Sequence, residues 1–181
     1  MFDDYMARWS LTRDGEEIVT STGSLLPVRR AGIPAMLKIS EAEEEIFGGL
    51  LMEWWDGRGA ARVLAREGGA LLLERAEGTR SLAAMARGAA DDEACRILCG
   101  VVARLHTPRA IPAPVVIPLT EWFWELEFAA ATYGGILPLC SAVARELLAM
   151  PQDVVVLHGD IHHGNVLDFG ERGWLAIDPK R

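Results

Sequence analysis

The chain has 181 residues, of which 50% are hydrophobic and 24% are charged, and its formal net charge at pH 7 is −8. This length and composition allow a buried core in one domain or in two small lobes. The acidic balance argues against nucleic acid as a partner, because phosphates favour a basic surface, and the apolar runs are too short to span a membrane.

The first 75 residues predict a small antiparallel sheet. The opening segment MFDDYMARW lacks the pattern of a signal peptide, so we expect a cytoplasmic protein. Strands are then predicted for RWSLTR, SLLPVRR and GIPAMLKIS, and for ARVLAR and GALLLER on either side of the turn EGG. In GIPAMLKIS, alternation places Ala35, Leu37 and Ile39 on one face and Lys38 on the other.

One helix is predicted between these strands. Ser40 is the expected N-cap, because Glu43 follows three residues later in the pattern of a capping box. The apolar residues at helical spacing predict the buried face: Phe47, Leu50, Leu51 and Trp54.

Residues 76–181 are predicted to be mostly helical, so the sequence indicates an α+β fold. Helices are predicted for DDEACRILCGVVARLH, LTEWFWELEFAAATY and LCSAVARELLAM, with the proline-rich loop TPRAIPAPVVIP after the first. Two short strands, DVVVL and GWLAI, bracket the segment LHGDIHHGNV. Cys95, Cys99 and Cys140 form no CxxC pair, and we interpret them as reduced core thiols.

The segment LHGDIHHGNV, residues 157–166, contains three histidines, one aspartate and one asparagine. Zinc binding by His158, His162 and His163 is disfavoured, because HxxxHH in a loop fits no strong zinc template. A nucleophile site would need an elbow such as GxSxG, which the sequence lacks. For His162 and His163, hydrogen bonding within the loop is preferred over contact with a phosphate.

Phosphoryl transfer is the remaining chemistry for this segment. It requires a carboxylate that accepts a proton from a hydroxyl group, together with ligands for Mg²⁺. Asp160 and Asn165 have the spacing of the catalytic Asp and Asn in H-R-D-x-x-x-x-N, so Asp160 is the predicted base and Asn165 a metal ligand. A hairpin of VLDF, GERG and WLAID would return Asp178 beside Asn165 as a second metal ligand. Asp168, although part of a DFG triplet, is interpreted as a turn residue.

Lys38 is the one lysine in the N-terminal half, and its predicted strand leads directly into the acidic helix. Phosphoryl transfer needs a cation on the nucleotide phosphates, held by an acidic partner. We expect Lys38 to provide that cation and Glu44 or Glu45 to pair with it, and we choose Glu45. The alternatives are a solvated strand lysine and acidic residues that only stabilise the first turn of the helix.

The connection LLLERAEG is predicted to bind adenine through its backbone. Glu74 and Ala76 are the expected positions, because they offer a carbonyl group and an N–H group between the predicted lobes. No GxGxxG motif is present, so the turn TSTGS at residues 20–24 would have to cover the phosphates. The alternative for that turn is an ordinary hairpin.

These segments resemble the aminoglycoside phosphotransferase superfamily, and within it the streptomycin 6-kinase group of aminoglycoside/hydroxyurea resistance kinases. LHGDIHHGNVL and RGWLAIDP are similar to the catalytic and metal segments of that group, and PAMLKI, WWDGRGAARVL, ALLLERA and DDEACRILC also resemble it. The resemblance implies a bilobal protein-kinase-like fold, with a β-sheet N-lobe in residues 1–75 and a helical C-lobe, incomplete here, in residues 76–181. It implies transfer of the ATP γ-phosphate, with Mg²⁺, to a hydroxyl group of streptomycin, a cationic aminoglycoside.

The resemblance assigns Asp160 as the base, Asn165 and Asp178 to Mg²⁺ and Lys38 to the phosphates, with His158 bracing the loop. The chain departs from the family pattern because it ends three residues after Asp178, where members continue with further helices. A fragment or a truncated product is therefore expected. The alternative functions are a kinase for hydroxyurea or another small alcohol, and an inactive remnant.

Overall fold

The computed structural model describes residues 2–180, which form two compact units: residues 2–114 with 157–180, and residues 115–156. The helices are α1 (Phe2–Arg8), α2 (Glu43–Trp55), α3 (Leu82–Arg87), α4 (Asp91–Leu105), α5 (Leu119–Trp122), α6 (Trp124–Tyr133) and α7 (Leu137–Ala149). The strands are β1 (Leu11–Arg13), β2 (Ile18–Val19), β3 (Ser24–Arg30), β4 (Ile33–Ile39), β5 (Val63–Glu67), β6 (Ala70–Glu74), β7 (Val166–Asp168) and β8 (Trp174–Ala176). Within residues 2–180, no helix combines the length and the apolar character needed to cross a membrane. The α+β class is confirmed, while the division at residue 75 stays a prediction.

The first unit is built on an antiparallel sheet with the strand order β1–β3–β4–β6–β5, in which β2 also pairs with β3. The predicted strands SLLPVRR, GIPAMLKIS, ARVLAR and GALLLER are confirmed as β3 to β6. Leu37 pairs with Leu26 on one side and with Leu72 on the other, and all three are fully buried. Alternation along β4 therefore gives one face to the core and leaves Lys38 on the opposite face.

The N-terminal segment begins with a helix, which the sequence did not predict. Asp3 and Asp4 lie in the first turn of α1, where the helix dipole favours negative charge, and Phe2 is buried in the core of the sheet. Of the predicted strand RWSLTR, only Leu11–Arg13 pairs with β3. The strand is short because the helix occupies the residues before it.

The capping box predicted at Ser40 is wrong, because α2 begins at Glu43 with Ala42 as its N-cap. Ser40 is held by the sheet. Its hydroxyl donates to the carbonyl oxygen of Thr22 at 2.5 Å, and its backbone N–H donates to that of Gly69 at 3.0 Å. These two hydrogen bonds keep Ser40 in line with β4, so the helix begins only at Glu43.

The buried face of α2 also differs from the prediction. Leu51, Met52 and Trp55 are almost completely buried, together with Gly48. The remaining predicted core residues are only half-buried: Phe47, Leu50 and Trp54. Because glycine has no side chain, it does not contribute to an apolar pattern, so the prediction placed the buried face on the larger residues beside Gly48.

The predicted helix DDEACRILCGVVARLH is confirmed as α4, and GWLAI is confirmed as β8. β7 and β8 form the expected hairpin, in which Val166 pairs with Ala176. The predicted strand DVVVL is wrong, because residues 153–157 form no strand. β7 and β8 pair with each other, so neither strand pairs with this segment, and Val154 is 80% exposed. An apolar composition alone was therefore not sufficient to predict a strand.

The second unit contains α5, α6 and α7. The predicted helix LTEWFWELEFAAATY is divided at Phe123 into α5 and α6, whereas LCSAVARELLAM is confirmed as α7. Arg145 of α7 lies 3.3 Å from the carboxylate of Glu127 on α6. Large apolar side chains of this unit are exposed, including Trp124 at 62%.

The prediction of core thiols is wrong, because Cys95, Cys99 and Cys140 are all exposed. In α4 the core is formed by Ala94, Val101 and Leu105, so the two cysteines of that helix lie outside the buried stripe.

Candidate active site

The carboxylate of Glu45 is surrounded by two lysines. Lys38 of β4 forms an ion pair with it, and Lys180 donates to Oε1 at 2.7 Å. The hydroxyl of Thr22 donates to the same oxygen at 2.9 Å, and the side chain of Glu45 is only 3% exposed. Burial alone would raise the pKa of Glu45, but the hydrogen bonds from Lys180 and Lys38 outweigh it and lower the pKa to about 2. Glu45 therefore stays ionised and holds both lysines.

Lys38 also forms an ion pair with Asp178, which lies two residues after β8. The backbone N–H of Ile177 donates to the carbonyl oxygen of Asn165 at 2.9 Å, so the β7–β8 hairpin returns the chain to the loop before it. Asp178 has a φ of 59°, in the left-handed region that Asp and Asn tolerate better than most residues. The sheet and the hairpin are thus connected through Lys38 and Asp178.

Sequence reasoning missed Lys180. Its backbone N–H donates to the carbonyl oxygen of His158 at 2.9 Å, which fixes the position of the side chain. Burial alone would lower the pKa of Lys180, but the hydrogen bond to Glu45 and the charge of Asp178 raise it. No local pattern in the sequence pointed to Lys180, because its partner Glu45 lies 135 residues earlier in the chain.

His158 anchors the loop of residues 158–165. It is 3% exposed, and its ring stacks on that of Trp55 with the centroids 5.9 Å apart. Nε2 donates to the carbonyl oxygen of Ile177 at 2.9 Å, while Nδ1 accepts from the backbone N–H of Asp160 at 3.4 Å. Burial lowers the pKa of His158, which favours the neutral ring that can donate at one nitrogen and accept at the other.

Asn165 fixes the backbone and the side chain of Asp160. Its Nδ2 donates to the carbonyl oxygen of Asp160 at 2.9 Å and to Oδ2 at 3.3 Å, and Asn165 is 8% exposed. The side chain of Asp160 is 44% exposed, so its carboxylate remains accessible to a ligand. His162 is occupied within the loop, because its Nδ1 accepts from the N–H of Gly164 at 3.0 Å.

The donors in this region fit Mg²⁺. Asp178 supplies carboxylate oxygens, which are the hard ligands that Mg²⁺ prefers. Since the amide nitrogen of Asn165 faces the carbonyl oxygen of Asp160, its amide oxygen is the atom left for a metal. These are the residues that could hold the ion.

Asp168 has other partners. It is 5% exposed at the end of β7, and it accepts from Nε of Arg80 at 2.8 Å and from the N–H of Gly170 at 3.1 Å. The hydrogen bond from Arg80 lowers the pKa of the Asp168 carboxyl. The DFG triplet therefore supports the hairpin, and its aspartate is occupied by Arg80 and by the backbone of Gly170.

A cavity of about 430 Å³ brings the charged residues of this region together. Lys38, Glu45, Asp160, Asp178 and Lys180 all line it. Its apolar lining comes from the sheet, α2 and the hairpin: Leu25, Met52, Leu71, Leu73 and Ile177. An apolar wall beside clustered charges is suited to a ligand with a flat ring and an anionic group.

The turn at residues 20–24 contributes Thr20, Ser21 and Thr22 to this cavity. The N–H of Gly23 donates to the hydroxyl of Thr20 at 3.1 Å, and a Cβ atom at Gly23 would lie 2.4 Å from the carbonyl oxygen of Ile39. The turn therefore depends on glycine to lie this close to β4.

The predicted adenine contacts, Glu74 and Ala76, do not line the cavity. The side chain of Glu74 instead accepts from the backbone N–H of Arg62 at 2.5 Å and forms an ion pair with Arg172. Leu71 and Leu73, the neighbours of Glu74 on β6, are the residues of this strand that reach the cavity.

Gly48 of α2 allows the segment after Asp178 to pass, because a Cβ atom there would lie 2.4 Å from the carbonyl oxygen of Pro179. We expect Gly48→Ala to be less stable than Gly49→Ala by about 1–3 kcal/mol in urea unfolding. Gly49 is the matched control, since its Cβ would meet side-chain atoms rather than backbone: the flexible Cδ of Arg66 at 3.0 Å and the methyl groups of Leu71 at 3.5 Å and beyond. Both replacements gain the same helix propensity. Equal stability of the two variants would contradict the importance of this close approach.

The model of the aminoglycoside/hydroxyurea antibiotic resistance kinase family matches residues 8–181. Streptomycin 3''-kinase of Klebsiella pneumoniae is 56% identical over 174 residues, which cover 96% of this chain and 65% of that protein. Streptomycin 6-kinase of Streptomyces griseus is 37% identical over 191 residues, which cover 96% of this chain and 59% of that protein. The chain thus spans roughly three-fifths of the length of these two relatives.

A choline/ethanolamine kinase family protein from Mesorhizobium loti has a similar structure, with a TM-score of 0.63 and 17% sequence identity. The similarity covers 98% of this chain and 64% of that one, and it shows a common fold. The family itself follows from the sequence match over residues 8–181: the chain belongs to the aminoglycoside/hydroxyurea antibiotic resistance kinase family.

Proposed function

We propose that this chain carries the active site of an ATP-dependent phosphotransferase that moves the γ-phosphate of ATP to a hydroxyl group of streptomycin. The observation that carries the proposal is that Lys38, Asp160 and Asp178 line the same cavity. Phosphoryl transfer depends on positioning and electrostatic stabilisation more than on covalent chemistry, and these residues supply a base, a cation and a metal ligand.

In this proposal Asp160 accepts the proton of the attacking hydroxyl group, and its exposed carboxylate supports that role. Asn165 and Asp178 hold Mg²⁺, which would neutralise charge on the phosphates. Lys38 binds the phosphates, and Glu45 holds Lys38 in position through their ion pair.

The backbone of Glu74 and Ala76 is proposed to hold adenine, next to the apolar wall that Leu71 and Leu73 of the same strand contribute. In terms of lobes, residues 1–75 would bind the nucleotide and residues 76–181 would contribute the base and the metal ligands. The net charge of −8 supports a cationic acceptor such as an aminoglycoside.

The phosphorylated position has two candidates. The similarity of the motif segments to the streptomycin 6-kinase group favours the 6-hydroxyl, whereas the 56% identity to a streptomycin 3''-kinase favours the 3''-hydroxyl. This identity exceeds the 37% shared with the Streptomyces griseus 6-kinase, so the test has to distinguish the 3''-hydroxyl from the 6-hydroxyl.

The test is ADP formation by the purified chain with ATP and Mg²⁺, measured with streptomycin, with hydroxyurea and without an acceptor. We expect ADP formation that requires streptomycin, and ³¹P–¹H correlation spectra of the product will locate the phosphate. A chain that is folded and binds ATP but forms no ADP with streptomycin would contradict the proposed acceptor. Turnover with hydroxyurea alone would support the alternative acceptor.

The proposed metal role of Asp178 gives a separate prediction. Asp178→Asn keeps a residue that tolerates the φ of 59° and removes the charge, so Mg·ATP affinity should fall by at least about 10-fold without loss of fold. Asp56→Asn is the matched control, because Asp56 has a φ of 48° and is exposed. Titration calorimetry with Mg·ATP gives both affinities, and unchanged affinity in Asp178→Asn would refute the assignment.

A further inference from the structure

A second group of metal-ligating side chains lies outside the cavity of the candidate active site. The carboxylate of Asp91, the thiol of Cys95 and a ring nitrogen of His163 all lie within 4.8 Å of one another. Asp91 and Cys95 are four residues apart on α4 and therefore lie on the same face of the helix, while His163 comes from the loop that contains Asp160.

His163 provides the second observation. Its Nε2 is buried and has no hydrogen-bond partner among residues 2–180. A buried ring nitrogen without a partner is costly, so such an atom calls for a ligand. The other two histidines of the motif are engaged, since His158 bonds to Ile177 and His162 to Gly164.

The distances and the donor types agree with one class of ion. Cys95 Sγ lies 3.9 Å from Oδ1 of Asp91, and two ligands of a tetrahedral zinc ion, at about 2.3 Å for sulfur and about 2.0 Å for oxygen, are separated by about 3.5 Å. One thiolate, one imidazole and one carboxylate suit Zn²⁺, whereas Mg²⁺ prefers oxygen donors alone.

We propose that Asp91, Cys95 and His163 form a zinc site that links the first turn of α4 to the loop carrying Asp160 and Asn165. The Cys95 thiol loses its proton to solvent as the sulfur–metal bond forms, and a water molecule completes the coordination. The ion would fasten the loop to the helix from outside the cavity. Zinc binding does not depend on the proposed phosphotransfer, so it can be tested without turnover.

The experiment is equilibrium dialysis of the reduced full chain against micromolar Zn²⁺ with excess Mg²⁺, followed by thermal unfolding. We expect one zinc ion per chain and a higher Tm with zinc. Cys95→Ser and His163→Gln should each weaken binding by at least about 100-fold, because removal of a ligand costs more than removal of a residue that only supports a ligand. Neither variant should change the Tm gain from Mg·ATP.

Cys99→Ser and Cys140→Ser are the matched controls, because both residues are exposed cysteines and Cys99 lies one turn further along α4. Both controls should bind zinc like the original chain. With Co²⁺ in place of zinc, a thiolate-to-metal absorption band in the near ultraviolet should be present in both controls and absent in Cys95→Ser. Failure of the original chain to bind zinc, unchanged binding in Cys95→Ser, or equal loss in Cys99→Ser would each overturn the proposal.

Discussion

Replacement of Asp160 by asparagine should lower the rate of streptomycin phosphorylation by about 10²–10⁴-fold, the range expected for loss of a general base. The amide has nearly the same shape and can still accept the hydrogen bond from Asn165, but it cannot take a proton from the acceptor hydroxyl. ATP affinity should change by less than about threefold, because the proposed phosphate contact is made by Lys38. Initial rates of ADP formation and calorimetric ATP titrations measure the two quantities on the same preparation.

Asp153→Asn provides the control for this substitution. Asp153 is exposed, has a φ of 49° that asparagine tolerates, and lies in the second compact unit. Its replacement should leave the rate within about twofold, as expected for a surface change of one charge. Turnover that is unchanged in Asp160→Asn would remove Asp160 from the proposed mechanism. A rate lost together with ATP affinity would instead assign Asp160 to nucleotide binding.

The loop of Asp160 was predictable because its chemistry is local. The proposed base and the proposed metal ligand are five residues apart, so one turn of loop is enough to bring them together, and Asn165 does donate to Asp160 across that turn. The hairpin was predictable for a similar reason. The two apolar segments are separated only by the turn GERG, so they are close enough in the sequence to pair with each other. The approach of Asp178 to Lys38 could not be predicted from local sequence, because it joins the hairpin to a different sheet.

Features set by tertiary contacts could not be predicted. Ser40 has the sequence of a helix cap, yet Thr22 and Gly69 hold it to the sheet. The position of Lys180 in the site could not be predicted, because it depends on a hydrogen bond to Glu45, which is distant in the sequence. The alternation of hydrophobic residues identifies faces, but it cannot say which distant segment covers each face.

Glu45→Gln should produce the largest loss of stability among single substitutions in the site. The side chain of Glu45 is 3% exposed and accepts from Lys180, Lys38 and Thr22. The neutral amide removes the carboxylate that both lysines share and leaves Asp178 as the counter-charge beside them. Removal of one member of a buried ionic group is strongly destabilising. The lowering of the Glu45 pKa from 4.5 to about 2 corresponds to about 3–4 kcal/mol, which solvent screening at the partly exposed lysines reduces to roughly 2 kcal/mol.

The same difference should depend on pH in a defined direction. The pKa of Glu45 is about 2 in the folded chain and about 4.5 in the unfolded chain, so between these values the unfolded chain binds more protons. The stability supplied by the Glu45 charge is therefore fully present above about pH 5 and is lost as the pH falls towards 2. Urea unfolding of the original chain and of Glu45→Gln should give free energies that differ at pH 7 and converge at low pH.

Glu44→Gln is the control that shows whether the effect depends on the position of the lost negative charge. Glu44 is the exposed neighbour of Glu45 in the first turn of α2, where either carboxylate can interact with the helix dipole. Its replacement should cost less than about 1 kcal/mol, with little effect on Mg·ATP affinity. Glu45→Gln should weaken Mg·ATP binding as well, because Lys38 and Lys180 lose the group that holds them at the cavity. The charge of Glu44 also raises the pKa of Lys180, but less than Glu45 does. If both variants lose the same stability at every pH, negative charge anywhere in the first turn explains the result and Glu45 does not position the lysines.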